Sequence, residues 1–125
     1  MKMLTIDDSA VVRKIISEAV GVLGHECLQA ESAQDALIIL EQGEEIGLIF
    51  LDWNMPGMNG LEFLKTIKKD DRFRKIPVMM VTTENLRENI IEAVKAGASH
   101  YITKPFSIEE LLKKIMECLG GGGNR

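Results

Sequence analysis

Short apolar runs alternate with segments of helical period along this chain, and that alternation constrains the fold more than any single residue. Met3, Leu4, Thr5 and Ile6 form one run, and Leu48, Ile49, Phe50 and Leu51 a second. Val78, Met79, Met80 and Val81 form a third, and residues 99–102 a fourth. Between the runs apolar residues recur every three to four positions, the spacing of one helix face. Val12, Ile15, Ile16, Ala19, Val20 and Leu23 line a first helix that Gly24 stops. Ala33, Ala36, Leu37 and Leu40 line a second, capped by Ser32 and ended by Gly43. Leu61, Leu64 and Ile67 mark a third, entered through Asn59 with Glu62 three positions on, the pattern of a capping box. Leu86, Ile90, Ala93 and Val94 mark a fourth, ending at Gly97. Ile108, Leu111, Leu112, Ile115 and Leu119 mark a fifth, with Ser107 and Glu110 at its start and Gly120 at its end. Strand and helix thus alternate five times.

Near-continuous apolar strands are buried on both faces, and parallel strands need helical crossovers. The pattern predicts an α/β fold: a doubly wound domain with a five-stranded parallel sheet covered by helices on both sides. In such sheets ligands bind outside the carboxyl ends of the strands. The residues at those ends carry chemistry. Asp7 and Asp8 follow the first run. Asp52 ends the second and leads into Trp53, Asn54, Met55, Pro56 and Gly57. Thr82 ends the third, and Thr103, Lys104 and Pro105 follow the fourth.

Three carboxylates brought together repel, and a hard divalent cation that takes oxygen ligands turns that repulsion into coordination. Mg²⁺ is the expected cofactor, with Asp7, Asp8 and Asp52 as metal ligands. Magnesium accepts one or two carboxylates and a phosphate oxygen, which leaves Asp52 an oxygen with which to attack phosphorus. Lys104 supplies a point charge and Thr82 a hydroxyl to the phosphoryl oxygens. Each feature alone has a plainer reading. An Asp pair after a strand commonly caps the next helix, an Asp before a Pro and Gly loop commonly makes a turn, and a lone Thr or Lys is a cap or a solvated charge. Their coincidence at four strand ends favours the site.

Composition narrows the function further. A chain of 125 residues, 46 % hydrophobic, fits one domain. Its net charge of −4 argues against general attraction to nucleic acid or to an anionic membrane. Cys27 and Cys118 lie far apart with no CxxC spacing, so free thiols are expected rather than a disulfide framework or a zinc site. No leader pattern and no long apolar run is present, and the expected location is cytoplasmic. The expected division is a domain over 1–119 and a disordered glycine-rich tail over 120–125. His25 and His100 are expected to lie apart from the chemistry.

The Asp7 and Asp8 pair, Asp52 with Met55, Pro56, Gly57, Met58, Asn59 and Gly60 after it, then Thr82, Tyr101 and the Lys104, Pro105, Phe106 triplet resemble a response-regulator receiver domain. Order and spacing match along essentially the whole chain up to the glycine tail. The segment from Asp52 to Pro56, Glu84 two residues beyond Thr82, and the lack of an output domain most resemble the single-domain chemotaxis regulators of that family. The resemblance implies a flavodoxin-like (βα)5 domain with strand order 2-1-3-4-5. It implies phosphorylation on Asp52 by the phosphohistidine of a histidine kinase, or by a small donor such as acetyl phosphate, and a metal contact from the Asn54 backbone carbonyl. It also implies a switch in which Thr82 moves toward the phosphoryl group and Tyr101 rotates inward. Helix four, strand five and helix five would then present an altered surface to a downstream protein, through Arg87, Glu88, Lys95, Tyr101 and Lys113. The expected protein is a monomer and a regulator rather than an enzyme. A stand-alone receiver in a phosphorelay and an aspartyl phosphatase are the rival readings, the second weakened because Asn54 stands where a second Asp is wanted. Two finer expectations are a cis bond between Lys104 and Pro105, and a narrowed approach to the site caused by Thr83, which stands where the family usually has Ala or Gly.

Overall fold

The computed structural model describes residues 1–120, so the tail expected over 120–125 lies outside it beyond Gly120. Five strands and five helices alternate: β1 (Lys2–Ile6), α1 (Ala10–Val22), β2 (Glu26–Ala30), α2 (Ala33–Glu41), β3 (Ile46–Leu51), α3 (Gly60–Lys68), β4 (Val78–Thr82), α4 (Arg87–Ala96), β5 (His100–Thr103) and α5 (Ile108–Cys118). All strand pairs are parallel and the order is β2-β1-β3-β4-β5. The doubly wound α/β architecture and the strand order agree with expectation.

Alternation along each strand divides the core in two. Leu4, Ile6, Ile49, Leu51, Val78 and Met80 face one way and pack with Ala36 and Leu40 of α2, Phe63, Leu64 and Ile67 of α3, and Ala93 of α4. Met3, Leu48, Phe50, Met79, Val81 and Ile102 face the other way, against Ile16, Ala19 and Val20 of α1 and Leu111 and Ile115 of α5. Strands β3 and β4 are buried almost throughout, as their unbroken apolar runs require.

The starts of α2, α3 and α5 follow the predicted capping chemistry, and Ser9 caps α1 in the same way without having been predicted. Ser9, Ser32 and Ser107 accept bonds from the backbone N–H groups of Val12, Asp35 and Glu110 at 3.3, 3.1 and 3.0 Å. At Asn59 the box is reciprocal, with bonds of 2.9 and 3.0 Å to and from Glu62. Ser107 receives no return bond from Glu110 among the described residues, so only half of that box forms. The apolar stripe of α4 is also thinner than expected. Only Ala93 is fully buried; Leu86 is the N-cap and Val94 points outward, each 58 % exposed. The helix rests beside α3 near the margin of the sheet, where a single small residue suffices to seat it.

Candidate functional site

The register of the sheet brings β1, β3, β4 and β5 to their carboxyl ends side by side, and their exits form one acidic hollow. Asp7 leaves β1 with its N–H bonded to the Ala30 carbonyl of β2 at 3.1 Å. Its carboxylate accepts the Ser9 N–H at 2.9 Å and the Lys104 ammonium at 2.8 Å. Asp52 leaves β3 with its N–H bonded to the Ile6 carbonyl at 3.0 Å. Its carboxylate accepts the Asn54 N–H at 3.4 Å and the same ammonium at 3.3 Å. Asp7 is 1 % exposed and Asp52 5 %, whereas Asp8 is open to solvent and has no hydrogen-bond partner among the described residues. One carboxylate oxygen from each of Asp7, Asp8 and Asp52 lies within 4.8 Å of the others. The three residues predicted to share an ion are together.

Lys104 arrives from the far side of the sheet. Its backbone N–H donates to the Thr82 carbonyl at 2.9 Å, which fixes the end of β5 against β4, and the bond to Pro105 is cis, as expected. Thr82 is fully buried, and its hydroxyl accepts the Glu84 N–H at 3.2 Å. Thr83 is exposed at the rim of an apolar groove that also includes Lys104, Phe106 and Ile15. Gly60 matters here although only its place in a loop was legible. A Cβ at Gly60 would collide with the Asp52 carbonyl oxygen and come within 2.8 Å of the Trp53 Cα, so glycine lets α3 begin directly against the backbone of the carboxylate.

Burial pushes the Asp52 carboxyl above its ordinary range and the Asp7 charge adds to the rise, while Lys104 and the Thr82 hydroxyl oppose it. Burial would lower the Lys104 ammonium, but the Asp7 hydrogen bond and the charges of Asp52 and Asp7 outweigh it, and the net shift is upward. The lysine therefore stays charged and holds together two carboxylates that would otherwise separate.

Beyond the hollow lies a connected polar chain. The Glu84 carboxylate accepts the side-chain amides of Asn54 at 2.9 Å and Asn89 at 3.0 Å, joining the β3–α3 loop to α4. The Tyr101 hydroxyl donates to the Glu84 backbone carbonyl at 2.6 Å. Burial, then the charges of Glu84 and Asp52, push the phenol up to about 12. The linking role of Glu84 and Asn89 was not legible from local sequence, because it exists only across three elements. His25 and His100 do not join the hollow; His100 sits 3.0 Å from the Cys118 thiol. Both cysteines are free and partly buried.

Comparison with known proteins gives a consistent picture. The response regulator receiver domain family matches residues 3–116. The chemotaxis protein CheY homolog of Campylobacter jejuni is 41 % identical over 123 residues, covering 98 % of this chain and 95 % of that one. CheY1 of Helicobacter pylori is 41 % identical over 121 residues, covering 96 % and 98 %. Among solved structures, Vibrio cholerae chemotaxis protein CheY4 superposes with a TM-score of 0.86 at 33 % identity, over 94 % of this chain and 97 % of that one. The beryllium-fluoride-activated DrrB receiver domain gives 0.83 at 27 % identity, over 94 % and 96 %.

Proposed function

The chain belongs to the response regulator receiver domain family, and on that premise we propose that Asp52 is its phosphoacceptor, with Lys104 and Thr82 as the groups that receive the phosphoryl oxygens. The protein is a phosphoacceptor regulator of two-component signalling. Control of chemotaxis is the output we assign, on the strength of the CheY names carried by relatives at 41 % identity. The observation that carries the site reading is the Lys104 ammonium, shared between Asp7 and Asp52 at 2.8 and 3.3 Å.

The donor set suits a hard cation, since all three acidic side chains offer only oxygen. Asp7, Asp8, Asp52 and the Asn54 backbone carbonyl would hold Mg²⁺. When bound, the ion supplies positive charge that offsets the carboxylate repulsion and the charge of an incoming phosphoryl group. The remaining work falls to the chain. A carboxylate oxygen of Asp52 attacks phosphorus, an acyl phosphate forms, and the bond from phosphorus to the histidine nitrogen of a kinase, or to the acetate oxygen of acetyl phosphate, breaks. Lys104 transfers its ammonium from the carboxylates to a phosphoryl oxygen. The Thr82 hydroxyl, which accepts the Glu84 N–H and lies beside the Asp52 carboxylate, turns to donate to another.

The phosphorylated state is read elsewhere. A shift of Thr82 alters the β4–α4 loop that contains Glu84, and Tyr101 is bonded to that loop. Arg87, Glu88 and Lys95 of α4 and Lys113 of α5 are exposed, and together with Tyr101 they form the surface we assign to a downstream protein. Only a few kcal/mol of differential stabilisation is needed to shift such a two-state packing. No described helix is long and apolar enough to cross a membrane. A cytoplasmic monomer, with a histidine kinase as donor, completes the proposal. The test is to add Mg²⁺ and then acetyl phosphate or beryllium fluoride while following Trp53 fluorescence. A response in the wild type that vanishes in Asp52→Asn supports the assignment, and equal responses contradict it.

A further inference from the structure

Arg13 makes a choice of partners that the reading so far does not use. It lies in the first turns of α1, half-buried, and forms no ion pair among the described residues. Its Nη1 donates to the backbone carbonyl of Asp7 at 2.7 Å, and its Nε donates to the side-chain oxygen of Gln29 on β2 at 3.2 Å. A permanently charged guanidinium, within a short distance of an acidic hollow, is thus spent on two neutral acceptors.

The consequence falls on Asp8. Its carboxylate belongs to the trio but has no bonded partner of its own, so the backbone alone keeps it there. The two peptides that flank Asp7 are each held, the one before it by β2 and the one that joins it to Asp8 by Arg13. On one side the Asp7 N–H is bonded to Ala30, and on the other the Asp7 carbonyl is bonded to Arg13. Gln29 fixes the plane of the guanidinium, and both anchoring residues belong to β2, the strand beside β1. Without the Arg13 bond the carbonyl can turn, and repulsion from Asp7 and Asp52 would swing the exposed Asp8 away from the other two.

We propose that Arg13, braced by Gln29, is a positioning residue for the cation site, holding the Asp7–Asp8 peptide so that Asp8 faces Asp7 and Asp52. The inference rests on the metal reading given above. It has a property that simple electrostatics lacks, namely its sign. As a mere nearby positive charge, Arg13 would oppose Mg²⁺, so removing it would tighten binding, and Arg13→Lys would change nothing. As a positioning residue, its removal loosens binding by about tenfold or more, the range expected when an outer partner of a metal ligand is lost. Arg13→Lys would fall between, since one ammonium cannot serve both acceptors in the fixed plane of the fork.

The experiment is a calorimetric titration of wild type, Arg13→Ala, Arg13→Lys and Gln29→Ala with Mg²⁺, each variant checked for fold by circular dichroism. The expected order of affinity is wild type, Gln29→Ala, Arg13→Lys, Arg13→Ala. Phosphorylation from acetyl phosphate at saturating Mg²⁺ is expected to return close to the wild-type rate in all three, because no group that touches phosphorus is altered. Unchanged or tighter binding in Arg13→Ala overturns the inference and leaves the metal reading intact. If Arg13→Ala fails to fold, Gln29→Ala decides, and wild-type affinity in that variant overturns the inference. A wild type that binds no Mg²⁺ overturns both readings.

Discussion

The two ends of the sheet use the same kinds of side chain for different ends. At the amino ends of the strands Lys2 meets Glu44 at 2.6 Å beside Glu26 and Glu45, around a concavity of about 830 Å³. At the carboxyl ends Lys104 meets Asp7 at 2.8 Å. Distance favours the first pair. Burial separates them. The side chains of Lys2 and Glu44 are 38 % and 35 % exposed, whereas those of Lys104 and Asp7 are 17 % and 2 % exposed. Water screens the first pair almost to nothing. The second is held where charges are felt strongly, and a second carboxylate, Asp52, shares its lysine. A site is made by convergence and desolvation, and neither a short ion pair nor a large cavity identifies one.

The largest expected contrast comes from removing each lysine. Lys104→Ala is expected to slow phosphorylation from acetyl phosphate by about 10²–10³-fold, the usual cost of losing one preorganised group at a charged transition state. Lys2→Ala should leave that rate unchanged and alter stability by no more than about 0.5 kcal/mol. Comparable losses in the two variants would break the comparison.

Next in size is the electrostatic strain at Asp52. Its folded-state pKa is raised above the ordinary 3.8 by burial and by Asp7. A raised value means that its stabilising contribution is fully present below pH 3.8 and is lost as pH rises through the folded value. Asp52→Asn removes that loss, so at pH 7 the variant should melt above the wild type. The gap should close at acid pH, where Asp52 is neutral. A lower melting temperature at pH 7, or a gap that persists in acid, would show that Asp7 and Asp52 are not under strain. The smallest effect is expected at the rim. Thr83→Ala should speed phosphorylation or dephosphorylation by no more than about tenfold, by clearing a β-branched side chain from the approach. Unchanged rates of both would remove Thr83 from the account.

Legibility in the sequence followed the same division between burial and convergence. Strands β3 and β4 read plainly because burial on both faces demands unbroken apolar runs. Strand β2 did not stand out. Its residues, Glu26, Cys27, Leu28, Gln29 and Ala30, lie at the edge of the sheet with Glu26 and Gln29 exposed, and only Ala30 is fully buried. Its presence was implied by the rhythm of the others. The stripe of α4 was overread for the opposite reason, since apolar residues such as Leu86 and Val94 can remain exposed on a marginal helix. At the site, strand ends located Asp7, Asp8, Asp52, Thr82 and Lys104, because a parallel sheet must bring its carboxyl ends together. The contacts of Arg13, Glu84 and Asn89 had no local signal. Each joins separate elements across a turn or loop, and only the fold brings their side chains and backbone groups into register.

The most direct test of the central claim, that three carboxylates converge on one hard cation, is a calorimetric titration with Mg²⁺ of the wild type and of Asp8→Asn. Asp8 is exposed and unbonded, so its loss should spare the fold. The account predicts a single site in the wild type and a dissociation constant raised by about tenfold or more in the variant. Equal affinities, or no uptake by the wild type, would contradict it.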